Sequence, residues 1–414
     1  MKKGLKLMCI LAVVTGVTFL FCGTAISQNK DPIKWGFLDC MSGTFGVFGK
    51  GNIGGTKLAI KEINDAGGIL GRRVELIVED TEANTENAAR KARKLIMKDK
   101  VDVIQGSAST SVTSVIMKLC GRSKVLHINS EFDSASMLAS KSDYSFDFVP
   151  LCEELERARM IAFKMKYPPS EIKRWLIFYP DYSYGRDMRD MYQRELKKWI
   201  PEAEIVGVIK HKFGETDYST HIVKILDAKP QVVVSCQWAG DALNFIRQAN
   251  ELAFFDKVPL FYLNCASVSA VVSLKDKMPV MWGGSEQGNP YSPKMKTFLK
   301  KYHDYLGEWP VTENACTYYD TVYMYKAAVE KAGTTDDLAV AKALVGLEYK
   351  GPGGMRRVRK DHMVDVDSID IVKLAPGGTF EWNVPTEIIE VPYNKVKMNN
   401  DELIALGCKW CKGK

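Results

Sequence analysis

Residues 42–79 read SGTFGVFGKGNIGGTKLAIKEINDAGGILGRRVELIVE, and this stretch decides the fold class. An apolar run at Ile33 to Leu38 predicts a strand before it, and Val74 to Val78 predicts a second strand near its end. Between them, a Gly-rich bend at Gly49 to Gly55 leads into an amphipathic helix that ends at Ala66, where two glycines supply the cap. The order strand, helix, strand predicts a parallel βαβ unit.

The same alternation of strand and helix patterns continues along the chain. A stripe of apolar residues at i, i+4, i+7 and i+8 predicts a helix over Asn87 to Lys98. Further strands are predicted at Val101–Ile104, Val125–Ile128, Trp175–Tyr179, Ile205–Ile209, Val232–Ser235 and Leu260–Leu263, with helices between them. Strands that alternate with helices of this length predict parallel sheets covered on both faces.

The last third of the sequence has a mixed pattern. Its predicted helices are Lys294–Leu306, Ala315–Ala332 and Leu338–Leu347, and its predicted strands are Ile369–Leu374 and Ile388–Val391. The basic run Arg356 to Lys360 follows a Gly-Pro-Gly-Gly turn, and we interpret it as a solvated loop.

The first 27 residues have the composition of a secretion signal. Three lysines precede an apolar run, Leu7 to Phe21, and Ala25-Ile26-Ser27 offers small residues to a signal peptidase. Lipid attachment at Cys22 is disfavoured because bulky Phe21 precedes it, and a retained anchor is disfavoured because the run is short for a span. Cleavage leaves 414 − 27 = 387 residues, enough for two domains, with a net charge of +7 − 3 = +4.

That mild charge does not indicate a nucleic-acid partner. Eight cysteines remain after cleavage, and Cys408 and Cys411 form a CxxC at the tail that predicts either a disulfide or two free thiols. A zinc site needs more ligands than this motif offers. The GxGxxG at Gly49 to Gly54 begins ten residues after its strand, too far for a dinucleotide site. With no nucleophile and base pair, we predict no cofactor, no metal, no catalytic residue and no enzyme.

The βαβ opening closely resembles the start of the Leu/Ile/Val-binding proteins, which are extracytoplasmic receptors of ATP-driven uptake systems. The resemblance covers nearly all of the mature chain. It implies an α/β fold of two doubly wound Rossmann-like lobes joined by a three-strand hinge, the type I periplasmic binding protein fold. The implied segments are a signal peptide at 1–27, an N-terminal lobe at 33–150 plus about 285–365, a C-terminal lobe at 151–284 plus about 366–395, and a tail at 396–414.

The loop Gly106 to Ser111 is the richest in binding chemistry. Ser109 and Thr110 supply hydroxyls, and the helix that begins near Ser111 presents N–H groups and a positive dipole end. Together these groups could hold a carboxylate. The resemblance implies that this loop grips the α-carboxylate of an amino acid, with Thr110 in the principal position. Capping of the helix without any ligand is the alternative.

Aromatic residues complete the predicted site. The resemblance implies that Phe48 covers the ligand, with a place in the core as its alternative, and that Tyr184 lies in the cleft. Trp238 follows a strand of the second lobe. A cage of Phe48, Tyr184 and Trp238 would suit an apolar or planar ligand body.

Two departures from the family pattern leave the headgroup open. The place of the carboxylate that commonly meets the ligand ammonium falls at Asn264, which carries no charge. On the first lobe, the loop from Asn129 to Asp133 contains Glu131 and Asp133 where Ser, Ala and Thr are usual. Asp133 could replace the missing anion or cap a helix.

The resemblance implies a monomeric periplasmic receptor. It would bind a small carboxylate-bearing solute, such as a branched-chain amino acid or a related amide or organic acid, and deliver it to the membrane permease. A ligand-sensing receptor that uses the same cleft is the alternative function. Contact with a transporter subunit is the alternative role of the basic run at 356–360.

Overall fold

The computed structural model describes residues 31–263, 267–286, 289, 291–378 and 380–413. The predicted signal peptide at 1–27 and Asn264 therefore lie outside the described residues. Among the described helices, none combines the length and the hydropathy that a bilayer span requires.

The first lobe is built on five parallel strands. In chain order its elements are β1 (Ile33–Asp39), α1 (Gly46–Asp65), β2 (Val74–Asp80), α2 (Thr85–Arg93), β3 (Val103–Gln105), α3 (Thr110–Ser123), β4 (Leu126–Asn129) and β5 (Ser145–Asp147). The strand order is β2-β1-β3-β4-β5. One core cluster joins α1 to one face of the sheet and another joins α2 and α3 to the opposite face, so the sheet is doubly wound.

The second lobe repeats this design. Its elements are α4 (Cys152–Lys166), β6 (Arg174–Pro180), α5 (Ser183–Trp199), β7 (Glu204–His211), α6 (Ser219–Asp227), β8 (Val232–Ser235), α7 (Ala239–Glu251), α8 (Phe254–Lys257), β9 (Leu260–Leu263), α9 (Ser267–Leu274) and β10 (Met281–Glu286). The five strands are parallel; the alternation of patterns predicts β6 to β9, whereas β10 is not predicted.

The remaining segment serves both lobes. Its elements are α10 (Lys296–Leu306), α11 (Ala315–Ala332), α12 (Asp337–Leu344), a small antiparallel sheet of β11 (Glu348–Gly351), β12 (Gly354–Val358) and β13 (Val364–Val366), the strands β14 (Ser368–Ala375) and β15 (Val384–Pro392), and α13 (Asn400–Ala405). The helices α10 to α12 share the core of α1, whereas β14 and β15 extend the second sheet in the order β15-β14-β10-β9-β8-β6-β7.

The chain passes between the two lobes three times, after β5, after β10 and between β13 and β14. This confirms the predicted fold class of two doubly wound lobes with a three-strand hinge. The residue boundaries proposed for the lobes stay a prediction.

The Gly-rich stretch is helical, which corrects the predicted bend. The helix α1 begins at Gly46 and includes all the glycines from 49 to 55. A Cβ atom at Gly49 would collide with the carbonyl oxygen of Cys40, and one at Gly55 would collide with that of Ala315. These glycines therefore let α1 approach the end of β1 and the start of α11 closely, and they do not break the helix.

The basic run at 356–360 is not a solvated loop, which is a second correction. Arg356 lies in β12 and is buried, and its guanidinium donates to Asp320 Oδ2 at 3.2 Å, to the carbonyl oxygen of Phe148 at 2.8 Å and to Thr317 Oγ1 at 3.1 Å. Arg357, the next residue, is about half exposed. The small sheet buries Arg356 while Arg357 stays partly exposed, a difference that the charge pattern alone could not reveal.

The tail is folded onto the lobes. Cys408 and Cys411 form a disulfide, which decides between the two predicted states. Both cysteines are buried in a cluster with Met117 and Leu138 of the first lobe and with Leu151 at the first crossing.

The buried ion pair of β12 gives the first test. We expect Arg356→Met to lower the free energy of unfolding by about 3 to 5 kcal/mol, because it leaves the buried Asp320 carboxylate without its cation. Arg357→Met, the matched change one residue later, should cost about 1 kcal/mol or less. Urea denaturation followed by circular dichroism measures both, and equal losses for the two variants would contradict the buried role of Arg356.

Candidate functional site

A small cavity lies between the lobes, where the carboxyl ends of their strands face each other. Its volume is about 20 Å³, room for about one water molecule. The residues that line it are Phe48, Ala108, Thr110, Glu131, Phe132, Asp133, Tyr182, Tyr184 and Trp238. Five of the residues proposed from the sequence, Phe48, Thr110, Asp133, Tyr184 and Trp238, are thus brought together at one place.

The loop after β3 supplies the hydroxyls that the sequence indicates, but their hydrogen bonds are internal. Ser107 Oγ and the backbone N–H of Ala108 donate to Asp39 Oδ1 at 3.1 and 2.9 Å. Thr110 Oγ1 donates to Asp133 Oδ1 at 2.7 Å. The protein's own carboxylates therefore occupy three donors of this loop, and one of them is the Thr110 hydroxyl that was expected to hold a ligand carboxylate.

Asp133 is the most unusual group of the site. Its side chain is only 1% exposed, and its Oδ2 has no hydrogen-bond partner among the described residues. The nearby Thr113 hydroxyl donates instead to the carbonyl oxygen of Ser107 at 2.9 Å. Burial raises the pKa of the Asp133 carboxyl to about 7.

Glu131 adds a second buried carboxyl to the same wall, but its oxygens are satisfied. The side-chain amides of Asn52 and Asn314 donate to its two oxygens. Burial, reinforced by the charges of Asp39 and Asp133, raises the pKa of Glu131 well above its usual value. Within the described part of the chain, no lysine or arginine pairs with Asp39, Glu131 or Asp133, so this wall is acidic and uncompensated.

Aromatic side chains form the opposite wall and reach across the cleft. The Trp238 indole donates to Tyr182 Oη at 3.0 Å. The ring of Phe45, in the turn before α1, stacks on Phe213 of the second lobe at 4.3 Å between centroids and lies 4.5 Å from Trp238. Phe48 meets Trp238 edge-on at 5.3 Å. Rings of both lobes thus interlock over the acidic wall.

Polar contacts also join the lobes beside the cavity. Asp187 on α5 accepts hydrogen bonds from Ser134 Oγ at 2.6 Å and from the backbone N–H of Ser136 at 3.0 Å. Gly240 at the start of α7 lies so close to Thr44 that a Cβ atom there would overlap its side chain. These contacts describe a closed cleft.

Two residues proposed from the sequence, Ser109 and Asn129, do not line the cavity. Ser109 is buried behind the wall, with its hydroxyl 3.3 Å from that of Ser111. Asn129 fixes its own loop, donating to the carbonyl oxygen of Glu131 at 3.1 Å and accepting from its N–H at 3.2 Å. Both side chains are buried and bonded within the first lobe. Asn264 lies outside the described residues.

Sequence reasoning missed the aromatic partners Tyr182, Phe45 and Phe213. Tyr182 could have been found, because it follows the end of β6 two residues before Tyr184. Phe213 follows β7 in an irregular segment, and no pattern in the sequence indicates that it meets Phe45 across the cleft.

The sequence of this chain is similar to those of known proteins. Residues 32–379 match the family model described as periplasmic binding protein. The Leu/Ile/Val-binding protein homolog 7 of Brucella melitensis biotype 1 is 24% identical over 365 residues, covering 84% of this chain and 88% of that protein.

Two solved structures have the same fold. A solute binding protein of an ABC transporter from Rhodopseudomonas palustris BisB5, in complex with 3,4-dihydroxybenzoic acid, has a TM-score of 0.77 at 21% identity and covers 88% of this chain and 98% of its own. A leucine binding protein from Thermotoga maritima MSB8 has a TM-score of 0.72 at 18% identity, with coverages of 86% and 98%.

The buried acids make stability depend on pH. The raised pKa of Asp133, about 7, and that of nearby Glu153, about 8 because of burial, mean that the folded state binds protons more tightly than the unfolded chain. The contribution of these two carboxyls to the free energy of unfolding should therefore fall as pH rises from about 4 to about 8. Over this pH range, we expect the free energy of unfolding of Asp133→Asn to fall by on the order of 2 kcal/mol less than that of the wild type.

Urea titrations at pH 5, 6.5 and 8 measure this slope. The exposed Glu202→Gln serves as the control and should keep the slope of the wild type. If Asp133→Asn also keeps that slope, the carboxyl of Asp133 is not held in an environment that favours its neutral form.

Proposed function

Since the chain belongs to the family of periplasmic binding proteins and is an ABC transporter substrate-binding protein of the Leu/Ile/Val-binding type, we propose that it captures a small solute between its lobes. Membership confirms the resemblance seen in the sequence. It also bears out the prediction that the chain is not an enzyme, because this family binds solutes without transforming them.

The proposal rests on one observation: a polar wall from the first lobe and an aromatic wall from the second lobe line the same cavity. The first lobe contributes polar groups from the loops after β3 and β4, and the second contributes Tyr182, Tyr184 and Trp238. Such a site is complete only when the lobes are together, so a solute that touches both walls binds the closed state more tightly than the open one and drives closure. A permease can distinguish the closed, loaded receptor from the empty one.

The size of the cavity supports a hinge motion. A space of about 20 Å³ does not admit even a small organic molecule, so the solute enters when the lobes separate. On closing, the solute takes the place of part of the interlocked rings, and the rings supply flat apolar cover. The related Rhodopseudomonas palustris protein, solved with 3,4-dihydroxybenzoic acid, agrees with a planar ligand body.

The location of the protein follows from the same family. We propose that residues 1–27 direct export and are removed, and that the mature chain acts as a monomer in the periplasm. A membrane permease would be its partner, and stimulation of that transporter's ATPase by the loaded protein separates uptake from sensing.

The proposal predicts ligand-dependent stabilisation through Trp238. In a thermal-shift panel of amino acids, aromatic acids, amides and amines, we expect at least one solute to raise the melting temperature of the wild type. Trp238→Leu should weaken that solute's binding by about tenfold or more, because the indole covers the site and contacts Phe48.

Trp309→Leu is the matched control, since Trp309 packs against Phe380 away from the cleft. It should lower the starting melting temperature without changing the affinity. If no solute of the panel stabilises the wild type, and small-angle scattering shows no compaction, capture of a small solute is refuted.

A further inference from the structure

We propose that the solute presents a positively charged nitrogen to Asp133, so that the natural ligand is a small organic cation with a flat or apolar body. This inference rests on the proposed function and concerns the charge of the ligand. It departs from the carboxylate headgroup that the sequence indicates.

The donors of the first lobe are the first reason. Ser107, Ala108 and Thr110 each direct a donor to a carboxylate of the protein itself, Asp39 or Asp133. A ligand carboxylate placed against this wall would have to break these bonds, and it would leave a buried protein anion without its donors. The wall already holds an anion of its own.

The free oxygen of Asp133 is the second reason. Asp133 lines the cavity, is almost completely buried, and keeps Oδ2 without a partner among the described residues. The two oxygens of Glu131 beside it accept from the amides of Asn52 and Asn314, and no hydrogen bond joins Glu131 to Asp133 Oδ2 in the described structure. A buried carboxylate oxygen of a residue that lines a binding cavity requires a donor, and a cationic N–H group is the strongest donor that a ligand can bring.

The aromatic wall is the third reason. Trp238, Tyr182 and Phe48 line the same cavity as Asp133, and the faces of aromatic rings attract cations, with tryptophan the most effective. A cation between a carboxylate and these rings keeps favourable electrostatic contacts after it loses its water. An anion in this cavity would instead lie beside two buried carboxyl groups, Glu131 and Asp133, and gain no such attraction from the rings.

The test compares the charge of otherwise matched probes. Benzyl, cyclohexylmethyl and propyl bodies are each offered as the amine, the neutral amide and the carboxylate, and binding is measured at pH 8 by titration calorimetry. We expect the amine of the best-fitting body to bind at least about tenfold more tightly than its carboxylate, with the amide between them.

The variant Asp133→Asn tests whether the carboxylate of Asp133 causes the preference for the amine. It should weaken binding of the preferred amine by about tenfold or more and change binding of the matched amide by less than about threefold. Asp256→Asn, an exposed site with the same change in charge, should leave both affinities unchanged. The charge order of the wild type needs no variant, so it decides the question even if Asp133→Asn does not fold.

The outcomes separate the two proposals. Tighter binding of the carboxylates, or a ligand from the thermal-shift panel that carries no cationic nitrogen, overturns the cation while solute capture stands. Amine binding that Asp133→Asn leaves intact in the folded variant also overturns it. If neither the charge-matched probes nor the thermal-shift panel yields any ligand, solute capture itself fails.

Discussion

The carboxylate of Asp39 is the interaction on which the rest of the site depends. It ends β1 and accepts hydrogen bonds from Asn52 of α1 at 3.0 Å, from Tyr318 of α11 at 3.1 Å, and from Ser107 and Ala108 of the loop after β3. One buried anion thus ties together three segments that are far apart in the sequence. Because the donors to Asp39 in the described structure are uncharged, it fixes the loop without an ion pair.

This arrangement determines where negative charge accumulates. The loop held by Asp39 places Thr110 where its hydroxyl meets Asp133, and Asn52, which bonds Asp39, also bonds Glu131. Three carboxyl groups therefore share one connected network. Burial without a cation disfavours the charged forms of Asp133 and Glu131, which is the physical cause of their raised pKa values. Such a network costs stability, and sites that bind commonly carry a cost of this kind.

The sequence predicts the fold well because its evidence is periodic. The predicted strand Leu260–Leu263 and helix Ala315–Ala332 have the bounds that the structure gives them, since long apolar patterns and glycine caps are local features. Predictions from local sequence patterns fail where a contact with a residue distant in the sequence determines the structure. The sequence predicts a bend at the glycines of α1, but they let α11 pack closely against the helix. It also predicts a solvated Arg356, but this residue pairs with the buried Asp320.

For the site too, the sequence indicates some features, and others depend on contacts that only the fold shows. Strand ends and their loops are visible in a sequence, so Thr110, Asp133, Tyr184 and Trp238 could be proposed for one cleft. The partner of each donor is not visible, because a hydroxyl that follows a glycine can hold a ligand anion or an internal one, and only the fold shows that Thr110 meets Asp133. The sign of the headgroup therefore could not be read from residue types.

The closed aromatic contact connects the site to the motion of the lobes. Phe45 and Phe213 stack across the cleft, and Trp238 lies against both Phe45 and Phe48, so apolar surface is buried between the lobes even when the cavity is almost filled by the rings themselves. This contact lowers the free energy of the closed state. A solute must therefore replace ring contacts by better ones, and only its differential affinity for the two states can shift their populations. Apolar contact alone offers little such advantage, because the solute's body exchanges one apolar neighbour for another. The group that meets the unpaired oxygen of Asp133 forms a contact that the empty closed state lacks, and this contact is where selectivity for a solute arises.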